Sequence, residues 1–305
     1  MSVMVCSDLD RTLIYSAAAL GLDGREDAGQ PRLLCVELYQ ARPLSFMTER
    51  AARLLETLAG AATFVPTTTR TPEQYARVHL LERPPAYAIC ANGGHILVDG
   101  VDDADWARGV RARAAETAAA LAEVGEHLAR VSGEFVLKRR TASDLFAYAV
   151  VDRAALPRGW VEDLTGWCSE RGWRTSVQGR KVYCLPEGLT KAAAAAEVAA
   201  RTGTATMLAA GDSLLDIELL EAADASIRPA HGELHDTGWT SPSTAVTAAR
   251  GVEAGEEILS WLLNRTAAAG AAAGSGPADG AGEARGPSQE GEANTFGAGV
   301  VQPAV

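Results

Sequence analysis

Asp8 and Asp10 stand two residues apart at the end of the apolar stretch VMVCSDLD, and Thr12 follows two residues later. An Asp carboxylate at a strand end can attack phosphorus and form an aspartyl-phosphate intermediate. In an extended chain the residue two positions on projects to the same side, so Asp10 can act as general acid and then general base at the same bond. Two carboxylates this close repel each other, and a hard divalent cation relieves the repulsion. Mg²⁺ suits that place, because it takes oxygen ligands from one or two carboxylates together with waters and substrate phosphate. Acids at strand ends also cap turns and helices, so DLDRT gains its weight from what accompanies it.

Three further stretches accompany it. TTTR, residues 67–70, closes a second apolar run and offers hydroxyls and main-chain amides near a helix start, a cradle for phosphate. GLTKAAAAA places Lys191 in the first turn of a helix, where the dipole disfavours a cation. LAAGDSLLDIELL carries Gly211, Asp212 and Asp216: a tight turn, an acid that can face a metal, and a second acid one helical turn on. His231 and His235 have i, i+4 spacing, but neither a helix nor a third ligand accompanies them, and they read as solvated loop histidines rather than a zinc site.

These residues need elements to hold them. Strand-like VMVCSDLD, ATFVPTTTR, YAICANGG and TATMLAAGDS alternate with helix-like TERAARLLETLAG, PEQYARVHLLE, TKAAAAAEVAART and LLDIELLEAA. The alternation predicts an α/β fold with a parallel sheet and right-handed crossovers. Sites in such sheets lie beyond the carboxyl ends of the strands, where Asp8, Asp10, Thr67 to Arg70, Asn92, Asp212 and Asp216 all fall. A middle segment has another rhythm: one long helix over 105–131, strands at EFVLKRR and DLFAYAVVD, a helix at LPRGWVEDLTGWCSERG, and strands at WRTSVQG and RKVYCLP. Helix, strand, strand, twice over, predicts an antiparallel sheet backed by two helices and set over the acidic edge as a lid. LLCVELYQARPLSF, with Arg42 in it, predicts a small flap between the first strand and the first helix.

The expected organisation is a core over 1–94 and 185–264, a cap over 95–184, and a disordered Ala/Gly-rich tail over 265–305, which has too little apolar bulk to offset its ordering entropy. GVEAGEEILSWLLNR would close the folded part as a helix. With 39 acids against 28 bases the net charge is −11, which disfavours nucleic acids and anionic membrane surfaces as partners. No apolar run approaches the ~20 residues of a membrane span, and acids stand where a signal peptide is basic and then apolar, so a cytoplasmic location is expected. Cys6, Cys35, Cys90, Cys168 and Cys184 form no C-x-x-C pair and read as free buried thiols.

Taken together and in this order, the four stretches resemble the four motifs of the haloacid dehalogenase-like (HAD) hydrolases, over about residues 1–264. The position of the insertion resembles the C2-capped branch with its Cof-type and sucrose-phosphatase-like phosphatases. The resemblance implies a Rossmann-like parallel-sheet core with an inserted α+β C2-type cap, and a Mg²⁺-dependent phosphoric monoester hydrolase. It implies Asp8 as nucleophile and metal ligand, and Asp10 as general acid/base and a metal ligand through its main-chain carbonyl. Thr68, with Thr69 beside it, would bind the phosphate, Lys191 would steady both nucleophile and phosphate, Asp212 would ligate the metal, and Asp216 would support it. The chain departs from the pattern at Arg11, where many members have Gly, at Thr69, where Cof-type chains have Gly before Arg70, and at Leu215, where many have Asn. The implied substrate is a small phosphorylated metabolite, sugar or polyol phosphate first. Lys138, Arg139, Arg140, Arg180 and Lys181 in the cap could meet a second anionic group on it, or mark a solvated strand face. A phosphomutase would use the same nucleophile and hand the phosphate back to its substrate; a non-catalytic sensor of a phosphate ligand is the other alternative, and it could drop any of Asp8, Asp10, Lys191 and Asp212, all of which are present.

Overall fold

In the computed structural model, residues 2–22 and 29–274 are described. Strand β1 (Val3–Ser7) is buried along its whole length, as a strand covered on both faces must be. An antiparallel hairpin of β2 (Leu33–Tyr39) and β3 (Arg42–Thr48) follows, turning through Gln40 and Ala41 with positive φ; it is the expected flap. Helix α1 (Glu49–Ala61) starts where the Thr48 hydroxyl accepts the Ala51 N–H, and it turns Ala51, Leu55 and Leu58 inward. Beyond β4 (Thr63–Pro66), α2 spans only Pro72–Tyr75, shorter than PEQYARVHLLE suggests. The chain leaves the helix there because the His79 N–H bonds the Val36 carbonyl of the flap.

Next, β5 (Tyr87–Cys90), β6 (His95–Val98) and β7 (Val101–Asp102) form a small antiparallel sheet. The helix expected over 105–131 is two helices, α3 (Ala104–Thr117) and α4 (Leu121–Val131). Between them Ala119 donates its N–H to the Arg171 carbonyl and accepts from the Trp173 indole, so tertiary bonds override the helix propensity of the alanine run. With α5 (Trp160–Ser169), three helices rather than two accompany the second antiparallel sheet. That sheet orders its strands β10 (Trp173–Gln178), β11 (Lys181–Pro186), β9 (Phe146–Val151) and β8 (Val136–Ala142). Phe146, Leu164, Trp173, Val124 and Leu128 make it a hydrophobic core of its own.

Helix α6 (Lys191–Thr202) is capped by the Thr190 hydroxyl and ends on Gly203 in the left-handed region. Then come β12 (Thr206–Ala210), α7 (Ile217–Ala222), β13 (Ala225–Arg228), α8 (Glu233–Asp236), β14 (Thr244–Val246) and α9 (Val252–Gly274). The main sheet is parallel throughout, in the order β14-β13-β12-β1-β4, and a parallel bridge from Thr67 to Ile89 brings β5 to its edge. One face is covered by α1 and α9 through Leu55, Leu58, Ile258 and Leu259, the other by α6 and α7 through Ala194, Val198, Leu219 and Leu220. The architecture is therefore a parallel α/β core interrupted by an antiparallel, helix-backed insertion. Helix α9 runs past Arg265 to Gly274, in keeping with its alanines, and the rest of the expected tail lies outside the described residues. The thiols are all free, but Cys35 is exposed on the flap, so only four of the five are buried. Among the described residues no helix is long and apolar enough to cross a membrane.

Candidate active site

Parallel register brings the expected residues together. Ser7 lies opposite Ala210 on one side and Pro66 on the other, so Asp8, Asp212 and Thr67 to Thr68 leave three adjacent strands at one edge. The Asp8 N–H bonds the Ala210 carbonyl at 2.9 Å, and the Thr67 N–H bonds the Ser7 carbonyl at 2.8 Å, extending the ladder by one step each way. From the start of α6 the buried Lys191 reaches across, its Nζ 2.6 Å from Asp8 Oδ1 and 2.5 Å from Asp216 Oδ1. Asp216 Oδ2 accepts the N–H groups of Asp212 and Ser213 and the Ser213 hydroxyl. Asp216 thus fixes both the lysine and the turn that carries Asp212. The hydroxyl of Thr12 completes Asp8 by donating to Oδ2 at 3.3 Å.

Asp212 packs against Gly232, which has φ +89, and a Cβ there would fall 2.4 Å from Asp212 Oδ2. Arg11 Nε stands 3.8 Å from the same carboxylate. Its backbone is left-handed, φ +65, which accounts for glycine suiting this position and leaves Arg11 as a strained exception. His231 is not a solvated loop residue: it is buried, its Nε2–H donates to the Arg11 carbonyl at 2.8 Å, and its Nδ1 accepts the Gly251 N–H. Burial lowers its pKa and keeps the ring neutral, as this pair of bonds requires. Its sequence signal is a single His after a strand, too common to identify it.

Burial and mutual repulsion govern the acids. Asp8 is pushed up to about 7, first by burial, with Asp216 and Asp10 adding to it and Lys191 opposing. Asp212 is likewise raised by burial and then by Asp8 and Asp216. Burial works against the Lys191 ammonium, yet Asp216 and Asp8 outweigh it and the pKa rises, so Lys191 is a firm cation. Asp8, Asp212 and Asp216 each offer an oxygen, all within 4.8 Å of one another. One lysine does not balance three buried acids, and an all-carboxylate donor set fits a hard divalent cation such as Mg²⁺.

Asp10 is held differently. Burial opposes its charge, but Arg70 grips it in a fork, Nε to Oδ2 and Nη2 to Oδ1 both at 2.8 Å, and its carboxyl stays below the usual range. Arg70 Nη1 meets Glu37 of β2 at 2.8 Å, and buried Glu37 also takes the Ser45 hydroxyl of β3 at 2.6 Å. The flap is therefore bound to Asp10 through Arg70, a residue the sequence reading grouped with TTTR but gave no role. Thr68 is buried, with its Oγ1 accepting the Arg70 N–H, and half-buried Thr69 lines the cavity above the acids.

That cavity, about 380 Å³, lies between Asp10, Asp212 and Thr69 on the core side and Gln178, Lys181 and Tyr183 of the insertion. Of the five cap cations singled out, Arg180 and Lys181 line it, whereas Lys138, Arg139 and Arg140 sit exposed on edge strand β8. Side chains fasten the insertion down: Gln178 Nε2 donates to Ser213 Oγ at 2.8 Å, and Arg174 meets Glu218 at 2.9 Å. Glu233 accepts the N–H groups of Val177 and Leu214, each at 3.0 Å, and so clasps both partners. Leu215 is buried in the insertion's own apolar cluster, a packing use for the position where the resemblance led to Asn. The two connections to the insertion touch: Asn92 Nδ2 bonds the Leu189 carbonyl at 2.8 Å, and a Cβ on Gly93, φ +98, would come within 2.1 Å of the Thr190 oxygen.

No protein-family model matches the chain, and neither does any curated protein. Solved structures do. The sucrose-phosphatase of Synechocystis, determined with sucrose and phosphate, is similar with a TM-score of 0.57 and 19% identity, over 86% of this chain and 98% of that one. The C-terminal domain of Candida albicans trehalose-6-phosphate phosphatase aligns with a TM-score of 0.53 at 11% identity, over 86% and 92% of the chains. A HAD subclass IIB sugar phosphatase aligns with a TM-score of 0.53 at 11% identity, over 88% and 99%. The chain has the fold of the capped HAD superfamily phosphatases.

Proposed function

We propose that this protein is a Mg²⁺-dependent phosphoric monoester hydrolase acting on a small phosphorylated metabolite, sugar or polyol phosphate first, through an aspartyl-phosphate on Asp8. The observation that carries the reading is Asp8 itself: a buried strand-end carboxylate bonded to Lys191 and crowded by Asp216 and by Asp212, which with Asp10 lines the cavity. An Asp8 oxygen would attack phosphorus as the ester oxygen leaves, and Lys191 would offset charge on the equatorial oxygens. Asp10 would protonate the leaving alkoxide and later take a proton from the water that hydrolyses the acyl phosphate. Because Arg70 holds Asp10 ionised, the fork has to loosen as substrate binds, so that Asp10 takes up from solvent the proton it then donates and regains one from the hydrolytic water. A bound Mg²⁺, held by Asp8 and Asp212 with Asp216 behind them, would supply further neutralisation of the phosphoryl group. Residues 95–184 would serve as the cap that encloses the reaction, with Thr68 and Thr69 at the phosphate. The sugar-phosphatase descriptions of the fold neighbours support the substrate preference.

The test is release of inorganic phosphate from a panel of phosphomonoesters, with and without Mg²⁺. The Asp8→Asn variant is expected to lose at least about 10³-fold in kcat while keeping wild-type circular dichroism. Removing one of three mutually repelling acids should leave its Tm in chelator at or above that of the wild type. A folded, active Asp8→Asn variant would remove the nucleophile assignment.

A further inference from the structure

Resting on the phosphatase reading above, we infer that the substrate carries a second anionic group, a carboxylate or a further phosphate, at the end away from the scissile ester, and that Lys181 with Arg180 binds it.

The inference comes from which charges in the cavity are already answered. Arg70 is taken up by Asp10 and Glu37, Arg11 faces Asp212, and Lys191 lies between Asp8 and Asp216. Lys181 and Arg180 also line the cavity, yet among the described residues neither has a carboxylate within ion-pairing distance. Both sit at the turn of the β10–β11 hairpin, where Gln178 lies opposite Lys181 and is itself bonded to Ser213, the neighbour of Asp212. The turn is thereby held over the acid cluster.

Lys181 is also shaped for a ligand. It shares a sheet face with Tyr183 two residues on and with Tyr148 across the strand pair. Its Nζ lies 5.7 Å from the Tyr148 ring centroid and 5.8 Å from that of Tyr183, and the two rings are 5.4 Å apart. The rings hold the ammonium in place and stabilise it without cancelling its charge. Its ammonium is favoured first by Tyr183 and, against the effect of burial, by Asp10 across the cavity. A neutral sugar would leave the half-buried Lys181 without a counter-charge, whereas an anionic tail supplies one and can take charge-assisted hydrogen bonds from Lys181 and from Arg180, exposed at the rim. Lys138, Arg139 and Arg140, exposed on the far edge strand, contribute nothing here.

The matched test uses sorbitol 6-phosphate, 6-phosphogluconate and sorbitol 1,6-bisphosphate, which share a six-carbon chain and differ in the terminal group, with p-nitrophenyl phosphate as a plain ester. Wild-type enzyme with Mg²⁺ is expected to turn over one of the two anionic-tailed esters with kcat/KM at least tenfold above sorbitol 6-phosphate; which one tells carboxylate from phosphate. Lys181→Met should cut the ratio of kcat/KM for the preferred anionic-tailed ester over sorbitol 6-phosphate, both measured on the variant, at least tenfold, with Tm unchanged. Arg180→Gln should lower the same ratio in part. No preference in the wild type, alongside Asp8-dependent turnover of p-nitrophenyl phosphate, overturns the inference and leaves the phosphatase reading standing. An equal loss on all substrates in Lys181→Met also overturns it, because Lys181 would then act through Asp10 alone. Absence of turnover on every ester sinks both readings.

Discussion

Asp8 and Asp212 hold their protons more tightly in the folded chain than in the unfolded one, because burial and each other's charge disfavour the anions. A raised folded pKa gives stability that is complete below the unfolded carboxylate range and disappears as pH rises through the folded value, about 7 for Asp8. In chelator, Tm is therefore expected to fall between pH 5 and 8, and added Mg²⁺ should restore more at pH 8 than at pH 5. Asp212→Asn should flatten both trends; thermal melts with EDTA or Mg²⁺ across that range check this, and an unchanged slope in the variant would assign it to other groups. Asp10 runs the opposite way: Arg70 holds its pKa down, so its contribution is present above the ordinary carboxylate range and lost as pH falls below it. Asp8, Asp212 and Asp216 could be grouped from the sequence because strand ends in a parallel sheet share one edge, whereas Lys191, at a helix start, was reached through the resemblance of its stretch to a family motif. The Arg70 fork was not, since it joins residues 60 positions apart and nothing in TTTR says which acid the arginine meets. Nor does local spacing show His231 buried beneath Arg11.

At the scale of elements, one buried carboxylate, Glu37, gathers the side-chain bonds that join the flap to Arg70 and Arg77, beside the main-chain bonds of Val36 and Phe46. Arg70→Met leaves Glu37 with Arg77 and Ser45 alone, and should cost about 2 kcal/mol. Adding Glu37→Gln removes the stranded charge, so the double variant should lose less than the sum of the singles in a urea-unfolding cycle. Glu233 plays a similar part for the insertion. Glu233→Ala withdraws the acceptor of the Val177 and Leu214 N–H groups, and amide exchange at these two residues should quicken about tenfold while that of β1 stays put. The periodic helices and the four strands of the insertion were readable from pattern. The break between α3 and α4, and the early end of α2, were not, because each is decided by a main-chain bond to a distant segment.

For the molecule as a whole, the alternation of strands and helices announced the parallel core, yet β13 and β14 escaped notice: four and three residues long, they carry too few positions for any period to show. The insertion holds an apolar core separate from the two flanking the main sheet. Leu164→Ala should therefore cost about 3 kcal/mol in the insertion, with hydrogen exchange rising across α5 and β10 and little change in β1 or β12. Asp8 and the turn bearing Asp212 extend from those two strands, each flanked by another strand on either side. The insertion, by contrast, is fastened to the core edge by the side chains of Gln178, Arg174 and Glu233. Under mild denaturant the proposed hydrolase should thus grow undiscerning before it grows idle, still cleaving a simple aryl phosphate at concentrations of urea where the proposed discrimination between tails is gone.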